Sequence, residues 1–196
     1  MEADWSVEIG GEAPVIDIGW PGWIDLSQDT AQVHSLDEAQ AFPPLGQALR
    51  IILCDCKLFA STKCDFWMED FADEAEASGP DAFCSDAENC QRIAGCYIDL
   101  LPQQLADWSQ LTTVERWVRA FTQTLRRADC PNARVEIVLR QAFFSATTGI
   151  GLSLYAYGCG ATDATARSAL ERALKILLEG IRTAPEPGPG TRFPLQ

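Results

Sequence analysis

Residues 134–182, RVEIVLRQAFFSATTGIGLSLYAYGCGATDATARSALERALKILLEGIR, decide the fold. Val135, Ile137 and Leu139 alternate with Glu136 and Arg140, and Ile150, Leu152, Leu154 and Ala156 alternate with Ser153, Tyr155 and Tyr157. A period of two belongs to strands buried on one face. The pattern predicts strands at 134–144 and 150–158, joined by residues 145–149. Further on, Leu170, Leu174, Leu177, Leu178 and Ile181 keep helical spacing and form one apolar stripe on a helix over 163–182. The stripe needs an apolar surface to lie on, and the hairpin supplies it.

The rest of the chain fits around this unit. A strand is expected at 14–19, followed by Pro21-Gly22, which specify a type II turn. Ser35-Leu36-Asp37-Glu38 has the capping-box pattern and predicts a short helical turn that Pro43 stops. Pro44 then suits the first position of a helix over 44–53, striped by Leu45, Ala48, Leu49, Ile52 and Leu53. The alternation over 57–68 predicts a strand with Leu58, Ala60, Thr62, Cys64, Phe66 and Met68 on one face. Its other face would carry Phe59, Ser61, Lys63, Asp65 and Trp67. Another strand is expected at 93–101, ended by Pro102, with Tyr97 and Asp99 opposite Cys96, Ile98 and Leu100. A helix over 112–128 follows, with Thr112 and Glu115 as capping box and Val114, Trp117, Val118, Phe121 and Leu125 as stripe.

The predicted order is ferredoxin-like βαββαβ with an additional strand and a C-terminal helix. That order predicts an α+β two-layer sandwich, a largely antiparallel sheet with its helices on one face. Residues 1–183 read as a single domain interrupted by an acidic mobile loop at 69–92, and 184–196 as a Pro/Gly-rich extended tail.

The chain has 196 residues and a formal net charge of −13. Phosphate backbones and anionic membrane surfaces are bound mainly through Lys and Arg, so neither nucleic acid nor membrane is an expected partner. No run approaches the ~20 apolar residues of a membrane span. Met1–Trp5 have neither a basic nor an apolar signal region, so the expected compartment is the cytoplasm and the eight cysteines are expected as thiols.

With the helices over Val135, Ile137, Leu152 and Leu154, the opposite sheet face collects Lys63, Asp65, Trp67, Tyr97, Asp99, Glu136, Arg140, Tyr155 and Tyr157. Carboxylates held near one another or near a cation have their pKa values driven apart, as acid–base chemistry requires. The same inventory is ordinary on a solvated sheet face, where opposite charges pair across strands. Trp, Tyr and Arg together are also typical binding anchors.

Other features weigh less. Gly158-Cys159-Gly160-Ala161-Thr162-Asp163 resembles a phosphate-binding turn but lacks the third glycine and the βαβ setting, and Thr162 or Asp163 serves better as a helix cap. Cys54 and Cys56, and the ladder Cys84, Cys90 and Cys96, do not make the two close pairs of a zinc site. Cys64 and Cys96 fall on core faces. Cys84 and Cys90 are the pair expected to be exposed, able to bond or to hold a soft metal. His34 has no partner for nucleophilic catalysis. Glu69, Asp70, Asp73, Glu74, Glu76 and Asp81 lack the ligand spacing of a calcium loop. Trp20 and Trp23 flank the Pro-Gly turn and suit either packing or recognition.

No cofactor or metal is expected. The function expected is binding of a partner protein, or self-association as a homo-oligomer, through Trp67, Tyr97, Tyr155 and Tyr157 on the open sheet face. The alternative is a small acid–base hydrolase or isomerase. There Asp65, Asp99 or Glu136 would act as base, with Lys63 or Arg140 stabilising developing charge.

Overall fold

A computed structural model describes residues 1–18, 26, 29–55, 58–70 and 90–184. The strands are β1 (Glu2–Glu8), β2 (Ile16–Asp17), β3 (Phe59–Asp70), β4 (Arg92–Pro102), β5 (Ala133–Phe144) and β6 (Thr147–Gly160). Among the described residues the α-helices are α1 (Asp37–Ala41), α2 (Pro43–Cys54), α3 (Leu111–Arg126) and α4 (Asp163–Thr183).

The fold is mixed α+β, with a six-stranded sheet in the order β1-β5-β6-β4-β3 and β2 also on β5. All pairings are antiparallel except those of β1 and β2 with β5, which are parallel. This order differs from that of a ferredoxin-like sheet, and two causes are visible. The hairpin closes tightly at Ser145-Ala146, with Phe144 opposite Thr147, and β6 then pairs with β4 along Leu100–Arg92. The C-terminal hairpin therefore takes the centre of the sheet. The first strand lies at the edge and is β1, while the strand expected at 14–19 is reduced to Ile16–Asp17.

Alternation within the strands decides what is buried. Val135, Ile137 and Leu139 of β5, Leu152, Leu154 and Ala156 of β6, and Cys96, Ile98 and Leu100 of β4 share one core with the stripes of α2, α3 and α4. Trp117 and Phe121 of α3 stack on one another at 5.1 Å, and Trp117 meets Trp108 and Phe59 edge-on. The face placed against the helices is thus the predicted one.

β3 departs from simple alternation. A bulge between Ser61 and Lys63 shifts its register on β4, so the phase before it is the reverse of the phase after it. Phe59, expected beside Lys63 and Trp67 on the open face, is fully buried in the core instead.

The helix starts differ too. α3 begins at Leu111 after Gln110 with no side-chain cap, and α1 follows Leu36 without one. The capping boxes read at Thr112 and Ser35 do not form, and Ser35 Oγ donates to the Gln32 carbonyl instead. Pro43 and Pro44 occupy the first turn of α2, where no backbone N–H is needed. Glu69, Asp70 and Arg92 belong to strands, not to the expected acidic loop. Residues 71–89 of that loop, the Trp20–Trp23 turn, Cys56 and the tail from 185 lie outside the described residues.

Candidate functional site

On the sheet face away from the core, the register builds three rows from β1 across to β3. Glu2, Arg134, Tyr157, Gly95 and Trp67 form the first; Asp4, Glu136, Tyr155, Tyr97 and Asp65 the second; Ser6, Val138, Ser153, Asp99 and Lys63 the third. Glu8 and Arg140 begin a fourth, next to Gly151. Lys63, Asp65, Trp67, Tyr97, Asp99, Glu136, Arg140, Tyr155 and Tyr157 are therefore on this face as expected, whereas Phe59 is not.

The surface is not a flat, hydrated sheet. Asp99 is 8 % exposed, Arg140 7 % and Ser153 1 %. At one end the chain covers its own sheet, where Ile16, Leu101, Leu105 and Ala142 form a separate apolar cluster. Gly149 and Gly151 make the room, because a Cβ there would lie 2.5 Å from Leu105 Cδ1 or 2.8 Å from Ile16 Cδ1.

Arg140 explains much of the burial beside that cluster. Its Nη2 lies 3.1 Å from Glu8 Oε2 and donates to Tyr155 Oη at 3.3 Å. Tyr155 belongs to the second row and Arg140 to the fourth, so their side chains meet over the third, the row of Val138 and Ser153. Nε and Nη1 are buried and without a hydrogen-bond partner among the described residues. An arginine packed this way has exchanged water for only part of its five-donor capacity.

In that third row Ser153 Oγ donates to Asp99 Oδ1 at 2.5 Å. Burial pushes the Asp99 carboxyl above its ordinary range, while the Ser153 hydroxyl, Arg140 and Lys63 pull it partly back. Burial, then the charges of Asp99 and Asp65, carries the Tyr97 phenol up to about 12. Burial raises Tyr155 as well, against the pull of Arg140. Both phenols therefore stay protonated at neutral pH and can donate.

The other expected carboxylates are placed differently. Glu136 accepts from Arg134 Nη2 at 2.8 Å. Asp65 is exposed and accepts from its neighbour's backbone, the Phe66 N–H, at 2.7 Å. Only Asp99 joins the buried cluster.

Beyond it, the face turns aromatic. Tyr97 and Tyr155 pack with ring centres 5.6 Å apart, and Trp67 meets Tyr157 edge-on at 5.9 Å. The Trp67 indole lies over Gly95, where any Cβ would collide with it. All four rings are half-buried.

The first row runs on into a sulfur-rich end. Ile93 pairs with Cys159, and Cys90, Ile93 and Cys159 form a buried cluster against Tyr157. Cys90 and Cys159 are disulfide-bonded. This departs from the reading of the cysteines as thiols before disulfides, although bonding was among the uses read for Cys90, and Cys90 is buried where exposure was expected. Cys54, Cys64, Cys96 and Cys130 are free, and burial carries the Cys64 thiol up to about 12. Among the described residues no group of three or more His, Cys, Asp or Glu is placed to hold a metal ion. His34 is exposed on a 3-10 turn.

The glycine turn before α4 is built for packing. A Cβ at Gly158 would collide with Leu170 N and the Ala166 carbonyl, and one at Gly160 with the Thr165 side chain. Thr162 caps α4 in a reciprocal box with Thr165, as a cap reading of that turn requires.

Reasoning from sequence missed Glu8, because β1 itself was missed, although Ala3, Trp5 and Val7 alternate with Glu2, Asp4, Ser6 and Glu8. It placed Ser153 on the face without weight, since the signal for that residue is its pairing with Asp99. Compared with family models, curated proteins and solved structures, the chain has no match. Among the described residues no helix is long and apolar enough to cross a membrane.

Proposed function

We propose that the protein is a binding module, a two-layer α+β sandwich in the cytoplasm whose free sheet face takes a protein, either a different chain or a second copy of its own. The observation that carries this reading is the continuous half-buried strip of Trp67, Tyr157, Tyr155 and Tyr97. Rigid amphipathic rings of this kind supply contact area at low entropic cost and dominate binding energies. The charges around them support orientation more than affinity. A photo-crosslinking side chain at Tyr155 tests the proposal. Adducts with another chain or a second copy, lost on Trp67→Ala, are expected, and a labelled face that yields no intermolecular adduct at micromolar concentration overturns it.

One observation favours a second reading, a small acid–base hydrolase or isomerase. Asp99 is a buried carboxyl with a raised proton affinity, within reach of a serine hydroxyl, Arg140 and Lys63. Such a group suits a base working near neutrality. Asp65 and Glu136 contribute less to it, being exposed or tied to Arg134. Turnover abolished by Asp99→Asn is its mark.

A further inference from the structure

Where β6 runs into α4, at the end of the sheet remote from Ile16 and Leu105, a cleft of about 340 Å³ opens between Cys90, Asn132, Cys159, Thr165, Ser168 and Arg172. Its volume lies in the range of small-molecule sites. Cys90 and Cys159 are the disulfide-bonded cysteines among the described residues, so an electrophilic S–S bond forms part of the wall. Cys90 is the more exposed of the two residues, at 7 % against 1 % for Cys159.

Arg172 is the second feature. Its Nη1 donates to Ser168 Oγ at 3.1 Å, and no carboxylate among the described residues pairs with it. Asp163, the acid at the start of α4, is tied to Arg92 at 2.6 Å and does not neutralise it. The Ser168 hydroxyl, which accepts from Arg172, keeps its own proton to donate next to the cation, whereas the Thr165 hydroxyl is spent on the Thr162 carbonyl at 2.9 Å.

We propose that this cleft is a thiol–disulfide exchange site for a small thiol carrying a carboxylate. The carboxylate pairs with Arg172 and the Ser168 hydroxyl, and the thiolate attacks a protein sulfur. A bond forms between the incoming sulfur and that cysteine, the protein S–S bond breaks, and its electron pair leaves on the other cysteine, which is protonated by solvent. A second thiol attacks the mixed disulfide, releasing the small disulfide. The protein gains two electrons and two protons, and two thiols become one disulfide. A disulfide that answers small thiols is also the kind compatible with a reducing compartment. The site stands independently of what the aromatic face binds.

The test uses the full oxidised chain at neutral pH, with reduced glutathione as the anionic thiol and 2-mercaptoethanol as the neutral one. Aliquots are trapped with an alkylating reagent, and the Cys90 and Cys159 peptides are mapped by mass spectrometry. Arg172→Gln is expected to slow opening by glutathione about fivefold, the scale of one exposed ion pair, and to leave 2-mercaptoethanol unchanged. Arg172→Lys, which keeps the charge, is expected to restore most of the rate. Equal slowing with both thiols, no effect on either, or a disulfide closed to both in the folded protein overturns the proposal.

Discussion

Arg140 and Tyr155 are joined by a single hydrogen bond, Nη2 to Oη at 3.3 Å, and through it an arginine from β5 spans the sheet face to β6. With Glu8 it forms the only described anchorage of a guanidinium that keeps two nitrogens unsatisfied. Tyr155→Phe should therefore cost about 1 kcal/mol. Glu8→Gln should cost about 2 kcal/mol, less than a fully buried pair because Glu8 is half in water. Arg140→Met, which removes the charge and its unmet donors together, should be neutral or stabilising. Urea midpoints at constant m-value read all three, and a large loss for Arg140→Met would show that the guanidinium is better satisfied than its contacts indicate.

Asp99 sets a pH dependence with a definite sign. Its folded-state proton affinity is raised above the ordinary value of 3.8, so in that window the native state holds more protons than the unfolded chain. Stability then falls as pH rises from 3.8 through the folded value, and stays lower above it. Asp99→Asn keeps an acceptor for Ser153 and removes the ionisation. The variant should gain on the parent as pH is raised across the acid range, in denaturation curves taken from about pH 3 to about pH 7. A constant difference across that range would show that Asp99 titrates normally.

The bulge in β3 is tested by Phe59. Lying against Trp108 at 5.0 Å and Trp117 at 6.1 Å in the core, it should cost about 4 kcal/mol on truncation to Ala. Uninterrupted alternation would instead put it on the free face, where the loss would be under about 1 kcal/mol. Calorimetric unfolding separates the two cleanly.

At Gly158 the backbone of α4 comes close against β6. Gly158→Ala must push the helix away from β6 or unwind it near Ala166 and Leu170, at about 3 kcal/mol. A fall in melting temperature with retained helical circular dichroism is expected, and a variant as stable as the parent would mean that the two elements are farther apart.

These cases show where the sequence was readable. Val135, Ile137, Leu152 and Leu154 announced the core face of the hairpin because burial on one side imposes a period of two, and that period carried Glu136, Arg140, Tyr155 and Tyr157 to the other side. The strip of aromatics followed from parity alone. Phe59 was misplaced because a bulge inserts one residue without any compositional mark at Ser61-Thr62-Lys63. The edge position of β1 and the salt bridge from Glu8 were not legible, since each depends on which strands become neighbours. Thr112 and Ser35 failed as caps for a related reason, as the chain enters each helix in a direction set by packing.

The parallel pairing of β1 with β5 joins Glu2 to Arg134 and Glu8 to Arg140, so β1 waits for a partner that lies far along the chain. Contacts of such long sequence separation form late and slow the folding of a chain. The hairpin of β5 and β6 has its own turn and its own helix and can assemble locally, and only then is there an edge for β1 to join. Arg140 is left without Glu8 until that last step, which makes the closing of the sheet and the neutralising of its buried cation a single event.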